Sequence, residues 1–213
     1  MNFFLKTAVL GIGVLTSAPV MAQDLTVYAG AALVYARAPD GAGSADTLAF
    51  QPYVEAEVNH FYAGLWLSKS NDNTADEVDI YLGYRNETAA GMSYDLGYAR
   101  YFYPNDGGDC CGELTISLGL PAGDKLSLGI DAAFDPEAAT GSASISGDYA
   151  VFDKLSIGAA IGVTDNGQEQ EWELGATYSL TDTTSVDLHY YQGSDYPGYL
   201  ELTLAFDTTL FSR

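Results

Sequence analysis

Alternation of apolar and polar residues with a period of two, in segments of roughly the ~9–11 residues that a spanning strand needs, recurs along most of this chain. The clearest segment is Glu77-Val78-Asp79-Ile80-Tyr81-Leu82-Gly83-Tyr84, apolar at even positions and mostly polar or glycine at odd ones. Gly112 to Leu120 repeats it, with Leu114, Ile116, Leu118 and Leu120 set against Glu113, Thr115, Ser117 and Gly119. Leu155 to Val163, Trp172 to Leu180 and Leu200 to Phe206 follow the same rule. Successive side chains on a strand point to opposite faces, so each segment is a strand with one apolar and one polar side. No helical period competes with it.

The pattern predicts twelve strands, over 25–36, 49–59, 61–69, 77–86, 91–103, 112–120, 125–134, 142–150, 154–163, 170–180, 184–192 and 198–207. An even count suits a bacterial barrel whose termini share one side of the membrane. One set of connections is then external: 38–48, 70–76, 104–111, 136–141, 164–169 and 193–197. The other is periplasmic: 59–60, 87–90, 121–124, 151–153 and 181–183. The first set is longer and rich in Gly, Asp and Asn, which is the loop asymmetry of outer-membrane barrels.

A soluble barrel or sandwich also has two-faced strands, but its strands are shorter, ~5–6 residues. Its surface also carries more charge, typically ~25–35%. Here charged residues make up 17%, and Lys69, Lys125 and Lys154 all lie near strand ends. Aromatic residues crowd strand ends too, as at Phe61-Tyr62, Tyr94, Tyr98, Tyr101-Phe102-Tyr103 and Tyr190-Tyr191, the placement of interfacial girdles. The chain reads as an all-β protein, a transmembrane antiparallel up-and-down β-barrel of about twelve strands.

The N-terminus reads as an export signal. Lys6 precedes an apolar run from Thr7 to Leu15, followed by small residues up to Ala22. The run is too short to span a bilayer as a helix, and Gly11-Ile12-Gly13 within it is no nucleotide loop. Residues 1–22 are expected to be a cleaved signal peptide and 23–213 the barrel. The expected location is the outer membrane of a Gram-negative cell.

Removing Lys6 leaves 7 Lys+Arg against 29 Asp+Glu, or 7 − 29 = −22. Such a chain repels nucleic acid, whose binding depends on cationic contacts to phosphate. Acidic disordered chains are poor in aromatics, whereas this one is 47% hydrophobic with 16 tyrosines. The two cysteines are adjacent, Cys110-Cys111, and the two histidines, His60 and His189, are far apart in sequence. No metal or cofactor motif is present. The cysteines fall in an expected external loop, where an oxidising compartment favours a vicinal disulfide.

The middle of the chain resembles a proteobacterial family of small outer-membrane porins, called TorF-type or Gcw_chp. The resemblance is carried by Phe61-Tyr62-Ala63-Gly64-Leu65-Trp66, by Glu77 to Tyr84, by Ser93-Tyr94-Asp95-Leu96-Gly97-Tyr98, by Tyr103-Pro104 and by Gly112-Glu113-Leu114. It covers roughly residues 50–120. The family's first strand usually shows an aromatic-x-Arg-Gly, whereas Tyr35-Ala36-Arg37 is followed here by Ala38. The resemblance implies a barrel and a passive pore, with no substrate and no catalytic residues.

The polar side of each strand then lines a lumen. The candidate pore-lining residues are Glu57, Glu77, Asp79, Arg85, Asp95, Glu113, Asp131, Glu171, Glu173, Asp187 and Glu201, with Glu55, Asp148 and His189 beside them. Rings of carboxylates favour cations, so the expected function is passive diffusion of small solutes or cations. The partners are outer-membrane lipid and lipopolysaccharide, and the barrel is expected to be a monomer. A structural or adhesive barrel with a closed lumen is the main alternative. A lipid hydrolase using His189 and Asp187 is the other, though no Gly-x-Ser-x-Gly elbow occurs. Arg100 shares the parity of Leu96 and Tyr98; on the outer side near the rim it would suit lipopolysaccharide phosphates.

Overall fold

A computed structural model describes residues 25–38, 46–72 and 75–213. The expected signal peptide and its junction at residues 22–24 lie outside the described residues, and so does most of the 38–48 connection. The chain forms twelve strands: β1 Leu25–Arg37, β2 Thr47–Val58, β3 Phe61–Ser70, β4 Glu77–Glu87, β5 Ser93–Tyr103, β6 Gly108–Pro121, β7 Leu126–Asp135, β8 Thr140–Phe152, β9 Leu155–Thr164, β10 Glu169–Thr181, β11 Thr184–Gly193 and β12 Tyr199–Ser212. Each pairs antiparallel with its sequence neighbours, and β1 pairs with β12, so the sheet closes into an up-and-down barrel. Closure leaves no unpaired strand edge.

The twelve expected segments are the twelve strands, with shifts at the ends. β6 begins at Gly108, and Cys110 and Cys111 therefore lie within the strand and not in the loop before it. The residues Asp106 to Gly108 turn the chain with Gly107 and Gly108 at positive φ, and pairing resumes at once. β12 continues to Ser212 because a bulge at Val27/Tyr28 keeps β1 in register with it.

Which side faces out decides what surrounds the barrel. Leu33, Leu82, Leu114, Ile161, Leu174 and Leu202, spread around the whole circumference, are each 45–60% exposed. No large side chain among the described residues is fully buried. A water-soluble barrel would fill its inside with these residues. This one turns them outward and keeps its polar face within, the pattern of a lipid-facing barrel. Hydrophobic burial against lipid, not an apolar interior, is what this sequence is built for.

The two rims differ. Three of the five connections at the rim near both termini are two residues long: Asn59-His60, Asp153-Lys154 and Asp182-Thr183. Asn59 and His60 both take positive φ, 50° and 71°, which matches the twist of a tight hairpin. Phe61 and Tyr84 meet edge to face at 4.8 Å beside it, and Tyr94 lies 6.2 Å from Tyr84, so aromatics band this rim. Trp172 and Tyr190, 5.3 Å apart, sit on the outer side towards the opposite rim.

At that opposite rim Asp76 ties two connections together. It accepts from Lys69 Nζ at 2.5 Å, from the Ser70 backbone N–H at 3.0 Å and from Asn105 Nδ2 at 2.8 Å. The Lys69 hydrogen bond, helped by that backbone N–H, holds the Asp76 carboxyl below the usual carboxylate range. A group with a lowered pKa stabilises the fold above its unfolded value, and that stability is lost as pH falls through the folded value. Asp76→Asn is therefore expected to lower the thermal unfolding temperature at pH 7. The gap from wild type should close as pH falls below the usual carboxylate range and through the lowered folded value; a gap independent of pH would show that the charge is not what matters.

Candidate functional site

The register carries a consistent inner face round the barrel. One row runs Tyr28, Glu55, Gly64, Tyr81, Ala99 and Glu113 on β1 to β6. The row below it, towards the tight-turn rim, runs Glu57, Tyr62, Gly83, Gly97 and Thr115 on β2 to β6. Large and absent side chains alternate because they share space. The Tyr81 ring lies over Gly64, and the Tyr62 ring over Gly83, where any Cβ would collide with it.

Arg85 stands on β4 opposite Asp95 of β5 and reaches back across β3 to β2. Its Nε donates to Glu57 Oε2 at 2.8 Å, and Nη2 lies between Glu55 and Glu57. Its guanidinium carbon sits 4.5 Å from the centre of the Tyr62 ring. Tyr62 in turn donates to Asp95 at 2.6 Å. The arginine is thus matched by two carboxylates in direct contact, with a third held beside it. Arg85 is the only Lys or Arg on the inner face among the described residues: Arg37, Lys69 and Arg100 point outward, and Lys125, Lys154 and Arg213 lie at the tight-turn rim.

Nearer the opposite rim, Tyr103 donates to Glu77 and Tyr101 to Glu113, both at 2.9 Å. Asp79 sits among them, with its Oδ1 enclosed and without a hydrogen-bond partner among the described residues. On the far wall Glu173 is level with Tyr191, and His189 with Glu201. Asp187 accepts from Thr177 at 2.6 Å and Ser185 at 3.2 Å. No hydrogen bond joins Asp187 to His189, whose ring instead lies against Gly175; the two do not form a base and its orienting acid. Between these walls β7 to β9 carry small inner residues, among them Gly129, Ser144, Ser146, Ser156, Gly158 and Ala160, with Asp131, Asp135 and Asp148 as the acids of that face. The lumen is therefore lopsided, bulky on one side and open-walled on the other.

Every candidate named from the alternation, from Glu57 and Glu77 on β2 and β4 to Asp131, Glu171 and Glu201 on β7, β10 and β12, falls on this inner face. The tyrosines are a correction. Tyr62, Tyr101, Tyr103 and Tyr191 were expected in the aromatic girdles, yet they share the parity of Asp95, Glu113 and Glu173 and point inward. Phe61, Tyr94, Tyr98 and Tyr190 keep the outward place. Parity with the acids was the available signal.

Arg100 is on the outer side, as its parity requires, but it is engaged within the chain. Its Nε donates to Asp109 at 2.6 Å and its Nη1 to Glu137. A bulge between Tyr101 and Phe102 inserts Cys110 and brings Asp109 to the same side. Two internal carboxylates thus take the contacts expected for lipid phosphates. Cys110 and Cys111 are joined as a vicinal disulfide at this bulge.

These features define a small up-and-down β-barrel of the membrane type: twelve closed antiparallel strands, an apolar belt outside and a polar, acidic face within. Solved porins share the architecture. A KdgM porin superposes with a TM-score of 0.65 at 8% identity, over 83% of this chain and 98% of that one. A KdgM porin in complex with disordered oligogalacturonate gives 0.62 at 8% identity over 85% and 99%, and a NanC porin 0.58 at 12% over 86% and 100%. No curated protein matches the chain in sequence. The chain belongs to the Gcw_chp family, described as bacterial proteins of unknown function, whose profile matches residues 32–199.

Proposed function

We propose that this protein is a diffusion channel of the bacterial outer membrane, with a lumen that prefers cations. The observation that carries the reading is the inner face itself: carboxylates on β2, β4 to β8 and β10 to β12, against one arginine already matched by Glu55 and Glu57. Carboxylates facing one another across a narrow passage with low-dielectric walls concentrate cations and repel anions. No chemical step is required of the chain, and no catalytic residue is assigned. The barrel acts alone, surrounded by outer-membrane lipid and lipopolysaccharide.

The comparison with the KdgM porin sharpens the reading. One KdgM porin structure is a complex with disordered oligogalacturonate, a chain of carboxylated sugars. The same architecture lined by acids would repel such a polyanion, so small cations and neutral solutes suit this chain.

A closed structural barrel is the second reading. The tyrosine–carboxylate bonds of β3 to β6 favour it, since they draw long side chains into the lumen. Barrels near eight strands are filled by side chains while those of 16–18 hold a channel. Stepwise, ohmic conductance of the refolded barrel in a planar bilayer supports the channel. A barrel that inserts, shifts on unboiled gels and yet conducts nothing supports the closed form.

A further inference from the structure

Near the long-loop rim, on the inner side of β10 to β12, four aromatic rings follow one another. His189 stacks on Tyr191 with ring centres 5.8 Å apart and planes 24° from parallel. Tyr191 stacks on Tyr199 at 5.0 Å and 17°. Tyr196, from the β11–β12 connection, meets Tyr199 at 6.0 Å and 46°. Two glycines make the row possible: the His189 ring lies against Gly175, and the Tyr196 ring against Gly193, where a Cβ would collide with either. Carboxylates border the row. Glu173 is directly across from Tyr191, Glu201 directly across from His189, and Glu171 across from Gly193.

An aromatic row inside a water-facing lumen is not explained by lipid, nor by an apolar core, which this barrel lacks. Ring faces carry a negative quadrupole that attracts cations. A cation with an apolar skin gains most from it, because its weak hydration is given up easily. Bare metal ions hold their water and prefer clustered oxygens, and no such cluster of three or more metal-ligating side chains occurs among the described residues. Carboxylates level with the rings add negative charge beside the row.

We propose that His189, Tyr191, Tyr196 and Tyr199, with Glu173 and Glu201, form a binding site for organic ammonium ions at the mouth of the lumen. The proposal rests on the channel reading and narrows its solute class to amines with methyl or methylene groups around the charge. Weak, fast binding at the mouth would raise the flux of such ions at low concentration. At high concentration it would hold back other cations.

The test is calorimetric titration of tetramethylammonium chloride into the detergent-folded barrel, with sodium chloride at equal ionic strength as the control. Saturable binding of the ammonium probe is expected, and none of sodium. Tyr191→Leu/Tyr199→Leu should weaken it roughly five- to tenfold, while Tyr191→Phe/Tyr199→Phe, which keeps the rings, should not. Glu173→Gln, the smaller change, should weaken it also and guards against a leucine variant that misfolds. Absence of saturable binding, equal binding by the leucine variant, or binding of methyl glucoside in place of the ammonium ion would overturn the site. Potassium conductance, measured separately, tells the two ideas apart. A conducting barrel that ignores the probe refutes this site and leaves the channel standing; a non-conducting one refutes the channel while the titration still decides the site.

Discussion

Replacing Arg85 by alanine is expected to cost the barrel about 3 kcal/mol in a urea unfolding titration, the lower end of the range for removing one partner of a buried ion pair. Its side chain is 20% exposed, and those of Glu55 and Glu57 are 10% and 21% exposed, so water screens the group only in part. Without the guanidinium, Glu55 and Glu57 face each other and Asp95 with nothing to balance them. Tyr62 loses the cation 4.5 Å from its ring. Adding Glu55→Gln and Glu57→Gln to Arg85→Ala should restore much of the loss, since the amides leave no uncompensated charge. That recovery is the coupling a mutant cycle measures. A loss under 0.5 kcal/mol, ordinary for surface sites, would show that lumen water already carries these charges.

Neutralising Asp79, Asp95 and Glu113 together is expected to reduce the preference for cations by a factor of roughly three to ten, since one sign of charge in a low-dielectric cleft raises the opposite ion about tenfold or more. The three do not weigh equally. Asp79 and Glu113 lie near the tyrosines of the upper lumen, Glu113 bound to Tyr101, with no arginine beside them. Asp95 is held by Tyr62 across from Arg85, which offsets its charge. Asp79→Asn with Glu113→Gln should therefore account for most of the change, and Asp95→Asn alone for little. The preference should also shrink as salt rises, because the screening length falls from ~10 Å at 0.1 M to ~3 Å at 1 M. Equal effects from all three singles would mean that Arg85 does not shield its neighbour.

The faces of the strands were legible in the sequence because a strand has a period of two and a barrel leaves no choice of which side meets lipid. Glu77, Asp79 and Glu113 could be placed inward from their alternation with Val78, Ile80 and Leu114. Tyrosine was not legible in this way. It has an apolar ring and a polar tip, so Tyr101 suits an interfacial belt as well as a bond to Glu113; only its parity decides. The pairing of Arg85 with Glu55 and Glu57 was hidden for a different reason. It crosses β3, and it needs Gly64 and Gly83 to give their space to neighbouring rings, a fit visible only once the register is known. The bulge at Cys110 was equally hidden, since one inserted residue moves Asp109 to the outer side. Arg100 consequently finds its partners within the chain.

The central claim, an acidic lumen that passes cations, is tested most directly by the reversal potential of the refolded barrel across a bilayer with a tenfold KCl gradient. An ideally cation-selective pore would approach about 59 mV for a monovalent ion. The expected result has the sign of potassium selectivity and falls below that bound, and the value shrinks when Asp79 and Glu113 are neutralised. A reversal potential of the opposite sign, showing that chloride passes more readily than potassium, would contradict the account.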